Sequence, residues 1–196
     1  MGALAEVLSY LITTLVSFYL ILVILRFLLQ LARADFYNPI SQFIVKATNP
    51  PLKPMRRIIP SIAGLDTASL VLALLVQAAG IALLLFISYR VIVNPTSLLI
   101  WSLLGLATAF TKLFFFTIIA TIVCSWLAPQ SRHPALMLLH QINEPVMAPF
   151  RRLLPSMGGL DLSPILVFMV IHVLEILIHN GAHASGMPTG IVIGLN

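Results

Sequence analysis

The chain has 196 residues, of which 60% are hydrophobic and only 9% charged. Soluble domains carry about 25% charged residues, so a chain this apolar cannot cover a water-facing surface and its main solvent must be lipid. Lys and Arg outnumber Asp and Glu by 11 to 6, but no basic run interleaves with aromatics, so the excess points away from nucleic acid and towards membrane topology. The lone Cys124 lies in an apolar run, which excludes a disulfide framework or a Cys-based metal site within one chain.

The first apolar run, 7–31, is long enough to cross a hydrocarbon core of about 30 Å. Ala32-Arg33-Ala34 resembles a signal-peptide cleavage site, yet the residues before the run carry Glu6 and no Lys or Arg. The run also exceeds a signal h-region of about 7–15 residues. Arg26 sits about one turn from its end, where a long side chain can snorkel to the interface.

A polar linker, 33–66, follows. Asn38-Pro39 is a helix-start signal, and Ile40, Phe43, Ile44 and Ala47 then recur at i, i+3, i+4, i+7. This predicts a short amphipathic helix at the interface, ended by Asn49-Pro50-Pro51. A further short helical piece over 52–59 is expected to stop at Pro60. Gly64 permits a sharp bend, and Asp66 is expected to cap the second span, 67–93. Gln77 is the strongly polar residue in that span, and Arg90 marks its far end. Asn94-Pro95 breaks the chain. The third run, 98–128, is too long for one upright crossing. Either it tilts, or its first part through Gly105 lies in the interface beside Trp101, leaving a span of about 106–128 that contains Lys112.

A second linker, 129–161, begins with His133-Pro134, and Ala135, Leu138, Leu139 and Ile142 repeat the amphipathic pattern. Pro145 and Pro149 bracket the segment before Arg151 and Arg152. Asp161 is expected to cap the last span, 162–178. The tail, 181–196, contains Gly, Ser and Pro and no Asp, Glu, Lys or Arg. Loose order is expected there, with 191–195 touching the membrane.

The two linkers are copies. Residues 50–66, PPLKPMRRIIPSIAGLD, align without gaps to 145–161, PVMAPFRRLLPSMGGLD, at an offset of 95. Pro50, Pro54, Arg56, Arg57, Pro60, Ser61, Gly64, Leu65 and Asp66 recur as Pro145, Pro149, Arg151, Arg152, Pro155, Ser156, Gly159, Leu160 and Asp161. The chain therefore reads as an all-α membrane protein of four transmembrane helices, arranged as two tandem hairpins over 1–95 and 96–180. Each hairpin carries a short amphipathic interfacial helix and a Pro/Arg-rich linker. An even number of spans per copy makes the repeats parallel, unlike the inverted repeats of many transporters. Arg33, Lys46, Lys53, Arg56, Arg57, Arg132, Arg151 and Arg152 all fall in the linkers, against Arg90 opposite. Both linkers are thus expected in the cytoplasm and both termini outside.

Three groups of residues are candidates for function, and each has an ordinary structural use beside it. Arg56, Arg57, Arg151 and Arg152 suit anionic lipid head groups or a partner's acidic face; the same arginines suit interfacial anchoring, with Asp66 and Asp161 as helix caps. Lys112 and Glu175 could form an ion path or only an intramembrane pair. His172, Glu175, His179 and His183 share one helical face, a spacing that by itself selects no metal, and their first-copy counterparts Gln77, Gly80, Leu84 and Ser88 could not match them. No phosphate-binding Gly loop, HExxH or paired Cys occurs, so no catalytic residues, metal or cofactor are expected.

The stretches DFYNPISQFIVKATNP (35–50), PMRRIIPSIAGLD (54–66) and PFRRLLPSMGGLDLSP (149–164) resemble the YggT family of bacterial integral membrane proteins, related to the YlmG and Ycf19 proteins. The resemblance covers nearly everything but the tail and looks like the two-copy proteobacterial type, which implies the inner membrane. It implies no catalytic residue. Its associations are osmotic or envelope stress, membrane-complex assembly and division-associated organisation. The second copy departs from the first where Arg132-His133-Pro134 stands for Tyr37-Asn38-Pro39 and Thr121 for Arg26. Two functions follow as expectations. One is a non-enzymatic assembly or organising factor whose basic face binds lipid, a membrane-protein partner or a second copy of itself. The alternative is a small ion channel or transporter using Lys112 and Glu175.

Overall fold

The computed structural model describes residues 3–128, 130–153 and 161–188. Pro155, Ser156, Gly159 and Leu160 of the second copy lie outside the described residues, as do Pro129 and the tail from 189, including the expected contact at 191–195. The described residues form six helices: α1 (Ala3–Leu31), α2 (Pro39–Met55), α3 (Thr67–Tyr89), α4 (Pro95–Leu127), α5 (Pro134–Leu153) and α6 (Ser163–Ala184). Four of them, α1, α3, α4 and α6, are long and apolar enough to cross a membrane. Helices suit this solvent because every interior N–H and C=O is satisfied within the segment.

Each repeat is an antiparallel pair of spans with an interfacial helix at one end. In the first, the Ser9 and Ser88 hydroxyls approach to 3.4 Å, placing the start of α1 against the end of α3. In the second, Trp101 Nε1 donates to the Ser185 carbonyl at 3.3 Å, placing the start of α4 against the end of α6. The most extensive packing is α1 on α3, and α4 joins the two pairs by touching both α3 and α6.

The third apolar run is one unbroken helix rather than an interfacial piece followed by a span. Asn94 Oδ1 caps it by accepting from the Thr96 N–H at 3.0 Å, and Pro95 occupies its first turn. At 1.5 Å per residue its 33 residues extend about 50 Å, well beyond the hydrocarbon thickness. Helix α6 likewise runs past 178 to Ala184, so the first residues of the expected tail are helical.

The prolines do not end the interfacial helices. Helix α2 continues through Pro50, Pro51 and Pro54, and α5 through Pro145 and Pro149. The expected stop at Asn49 and the separate piece over 52–59 are therefore replaced by a single helix. The reason lies in which face the prolines occupy. Pro50, Pro54, Pro145 and Pro149 are exposed, whereas Ser41, Ile44, Thr48 and Leu52 in α2, and Leu138, Ile142, Asn143 and Met147 in α5, are buried. The carbonyls deprived of a partner thus lie on the outer side, and packing of the opposite face offsets the lost hydrogen bonds.

Among the described residues, burial is unequal between the repeats. The main core gathers Leu20, Val23, Ile24, Leu28 and Leu29 of α1 with Leu72, Ala73, Ile81 and Leu84 of α3, reaching Ile44 and Leu52 beneath them. The second repeat contributes a smaller cluster of Ile118, Met147, Val167 and Ile171. It also uses polar contacts: Asn143 Oδ1 accepts from the Thr117 hydroxyl at 2.7 Å, and Asn143 Nδ2 donates to the Thr121 oxygen at 2.9 Å. Asn143 is buried, and this pair of bonds fastens α5 to α4.

A tight turn precedes α3. Ile62 N–H donates to the Leu65 carbonyl at 3.3 Å and Leu65 N–H to the Ile62 carbonyl at 2.9 Å. Both central residues have positive φ, Ala63 at 53° and Gly64 at 81°. That suits glycine at both positions, and the second copy has Gly158 and Gly159 there. Ala63→Gly should therefore stabilise the protein, because relief of about 1–2 kcal/mol of left-handed strain exceeds the added unfolded-state entropy of roughly 0.4–1 kcal/mol. A lower melting temperature in detergent would contradict this. Asn143→Ala should lose about 1–3 kcal/mol by stripping two buried threonine contacts, measured by the same thermal unfolding.

Candidate functional site

The two linkers lie at the same end of the bundle and touch. Asp35 N–H donates to Gln141 Oε1 at 3.1 Å, and Asn38 Nδ2 donates to the Pro134 carbonyl at 2.7 Å. These bonds join the start of α2 to α5. Each interfacial helix is capped by the residue before its first proline. Asn38 Oδ1 accepts from the Ile40 N–H at 2.9 Å; His133 Nδ1 accepts from the Ala135 N–H at 3.2 Å. The divergence of Asn to His thus keeps one function through a different acceptor atom.

The paired arginines divide their work. Arg56 ends α2 and binds the carboxylate of Asp66, ten residues on, which precedes α3. Asp66 is buried, and it also accepts from the backbone N–H and hydroxyl of Ser69. In the second copy, Arg151 Nε donates to Asp161 at 3.0 Å, and Arg151 Nη1 to Glu144 at 2.6 Å. Asp161 Oδ1 accepts from the Ser163 N–H at 2.9 Å, although the N-cap position of α6 belongs to Leu162, which makes no side-chain cap bond. Asp161 therefore covers an orphan N–H from one residue further out. Arg57 and Arg152 are exposed and take no part in these pairs. The first arginine of each copy closes its elbow, and the second presents charge outward.

The electrostatics follow the burial. Burial pushes the Asp66 carboxyl up, but its hydrogen bonds to Arg56 and Ser69 prevail and hold it below the ordinary carboxylate value. Asp161 is also held low, with burial outweighed first by Ser163 and then by Arg151. Arg151 is driven up, because Glu144 and Asp161 outweigh its partial burial.

The remaining sequence candidates lie elsewhere. Lys112, on α4, is half-buried. Glu175, on α6, lies 3.9 Å from His172 Nδ1 on its own helix. Leu104 meets Gly181 at the α4–α6 contact, so in this antiparallel register Lys112 and Glu175 occupy similar depth. The Nε2 atoms of His179 and His183 approach to 2.9 Å on the exposed face of α6. Among the described residues no three His, Cys, Asp or Glu side chains converge as a metal-binding group.

Because the folded Asp66 carboxyl titrates below its unfolded value near 3.9, its stabilisation is complete above about pH 4 and is lost as pH falls through the lowered folded value. Melting temperature should decline with acid in that window, and Asp66→Asn should flatten the decline. At neutral pH Asp66→Asn should cost about 1–3 kcal/mol, more than Asp161→Asn, whose pair is exposed. Equal losses from the two variants would show that burial does not set the difference.

Comparison with known proteins agrees with this duplicated architecture. The family model described as CCB3/YggT matches residues 5–87 and again 100–182. An uncharacterized protein of Pseudomonas aeruginosa is 50% identical over 95% of both chains. Another, of Vibrio alginolyticus, is 43% identical over 82% of this chain and 87% of its own. The uncharacterized protein YggT of Escherichia coli K12 is 35% identical over 91% of this chain and 93% of its own. No solved structure matches the chain significantly. With a family match in each half, and with both halves folded as a span, an interfacial helix and a span, the chain belongs to the CCB3/YggT family of membrane proteins.

Proposed function

We propose that this protein is a non-enzymatic organising or assembly factor of the bacterial inner membrane, acting in the envelope or osmotic stress response. Its elbow end faces the cytoplasm, with both termini periplasmic, and binds anionic head groups or an acidic membrane-protein partner. The observation that carries this reading is the meeting of both linkers at one end of the bundle, with Arg57 and Arg152 exposed in them while Arg56 and Arg151 are held by carboxylates. The other basic linker residues, Arg33, Lys46, Lys53 and Arg132, are also exposed, whereas Arg90 lies at the opposite end of α3. This asymmetry is what the positive-inside rule reads as a cytoplasmic face, and clustered cations near head groups attract anionic lipid at about 1 kcal/mol each.

Replacing the exposed Arg57 and Arg152 with Gln should reduce the phosphatidylglycerol and the crosslinked proteins that co-purify from native membranes, while the protein still inserts. Unchanged lipid and partners would overturn the binding face. Single cysteines at Ser61 and at Ser97 should label from opposite sides of the membrane, with Ser61 cytoplasmic; labelling of Ser61 from outside would reverse the orientation. A channel is the second reading, favoured by the shared depth of Lys112 and Glu175. Liposome flux that is present in the wild type and changed in Lys112→Met and Glu175→Gln would replace the scaffold reading with that one.

A further inference from the structure

Arg26 is the buried cation that the elbow ion pairs leave unused. It projects from α1 five residues before the helix ends at Leu31 and is only 7% exposed. Its Nε and Nη1 are buried and have no hydrogen-bond partner. A buried guanidinium in that state is costly, because these two nitrogens have lost water and gained no acceptor. The surroundings identify the missing group. The Phe36 ring lies 5.3 Å from the guanidinium carbon and covers one face of it. Arg56 and Asp66 are near enough for their charges to act on Arg26. The Asp66 carboxylate is already occupied by Arg56 and by the Ser69 hydroxyl and N–H. Of the two guanidiniums, only Arg56 bonds this carboxylate, and Arg26 Nε and Nη1 are left without an acceptor.

We propose that this place in the first repeat holds a phosphate group, bound by Arg26 and Arg56 beneath Phe36, and that the group belongs to an anionic phospholipid. Arginine's planar fork matches phosphate oxygens, and a side chain one turn from the end of a span reaches head-group depth. Phe36, 41% exposed, is placed to touch both the guanidinium and an acyl chain. Among the described residues the second repeat has no such arrangement. Thr121 stands where Arg26 does in the first, and its hydroxyl is engaged with Asn143. The duplicated frame thus carries one specific lipid site beside a pseudo-symmetric cationic face. The proposal deepens the lipid-binding reading of that face and rests on it.

The test uses the full chain, delipidated in detergent and titrated with phosphatidylglycerol, with phosphatidylcholine, and with inorganic phosphate alone. The readouts are melting temperature and bound lipid per chain by native mass spectrometry. Arg26→Met should melt no lower than wild type without lipid, since removing an unpaired buried charge removes its penalty. It should lose the rise in melting temperature that phosphatidylglycerol gives wild type, and bind that lipid at least about tenfold more weakly. Arg26→Lys should bind with intermediate strength, keeping charge without the fork. The double variant Arg57→Gln, Arg152→Gln should keep the lipid-induced rise, which separates this site from the general basic face. Saturation and lipid displacement by inorganic phosphate would assign the site to a free anion, and retention of lipid against it to a head group. An Arg26→Met protein that melts lower without lipid, yet is stabilised by phosphatidylglycerol as wild type is, would make Arg26 a structural residue and overturn the site. Equal stabilisation by phosphatidylcholine would overturn it too, and so would loss of the rise in the double variant.

Discussion

The arginine–aspartate pair across each elbow is the contact on which the rest of the architecture depends. A chain leaving one span must turn, run along the interface and enter the next span with its first N–H groups satisfied. Arg56 and Asp66, and Arg151 and Asp161, do this with two side chains ten residues apart. The aspartate accepts from the start of the next span and from the arginine at the end of the interfacial helix. One carboxylate therefore sets the distance and angle between both helices. Because its partners are N–H groups and a guanidinium, the pair remains ionised while partly withdrawn from water.

Duplication multiplies this device, and divergence adjusts it. At the helix cap, Asn38 and His133 supply different acceptor atoms to the same backbone N–H position. Beneath α2 the buried position is Thr48, which bonds its own helix through the Ile44 carbonyl at 2.7 Å. Its counterpart Asn143 reaches across to α4 instead. The polar crosslink compensates for the thinner apolar core of the second repeat. The first repeat, with the larger core, carries the buried Arg26. Extra packing can hold a side chain whose burial is unfavourable, and such places are where binding sites are commonly kept.

Lipid as solvent explains what otherwise looks like poor burial. Exposed large side chains such as Leu15, Phe18, Leu75, Phe116, Met169 and Leu177 lie on the outer faces of the four spans. Hydrocarbon solvates them as well as a protein interior would, so helix association relies on close packing and polar contacts rather than on the exclusion of water. The small polar contacts at the open end of each hairpin, Ser9 with Ser88 and Trp101 with Ser185, fit that requirement.

Composition and repetition were enough to establish a lipid-embedded, all-helical, two-copy chain, because low charge, long apolar runs and an ungapped seventeen-residue repeat are properties of order along the chain. The elbow residues were legible for the same reason: Arg-Arg and Asp recur at one offset. Which arginine bonds the aspartate was not, since Arg56 and Arg57 differ only in the direction each faces once α2 has formed. The persistence of α2 and α5 through their prolines was equally a tertiary decision. Local rules end a helix there, and packing of the buried face against α1, α3, α4 and α6 prevails. Arg26 read as an interfacial snorkel because it lies about one turn from the end of an apolar run. Only the folded elbow places Phe36 over it and brings the charges of Arg56 and Asp66 near, while giving two of its nitrogens no partner.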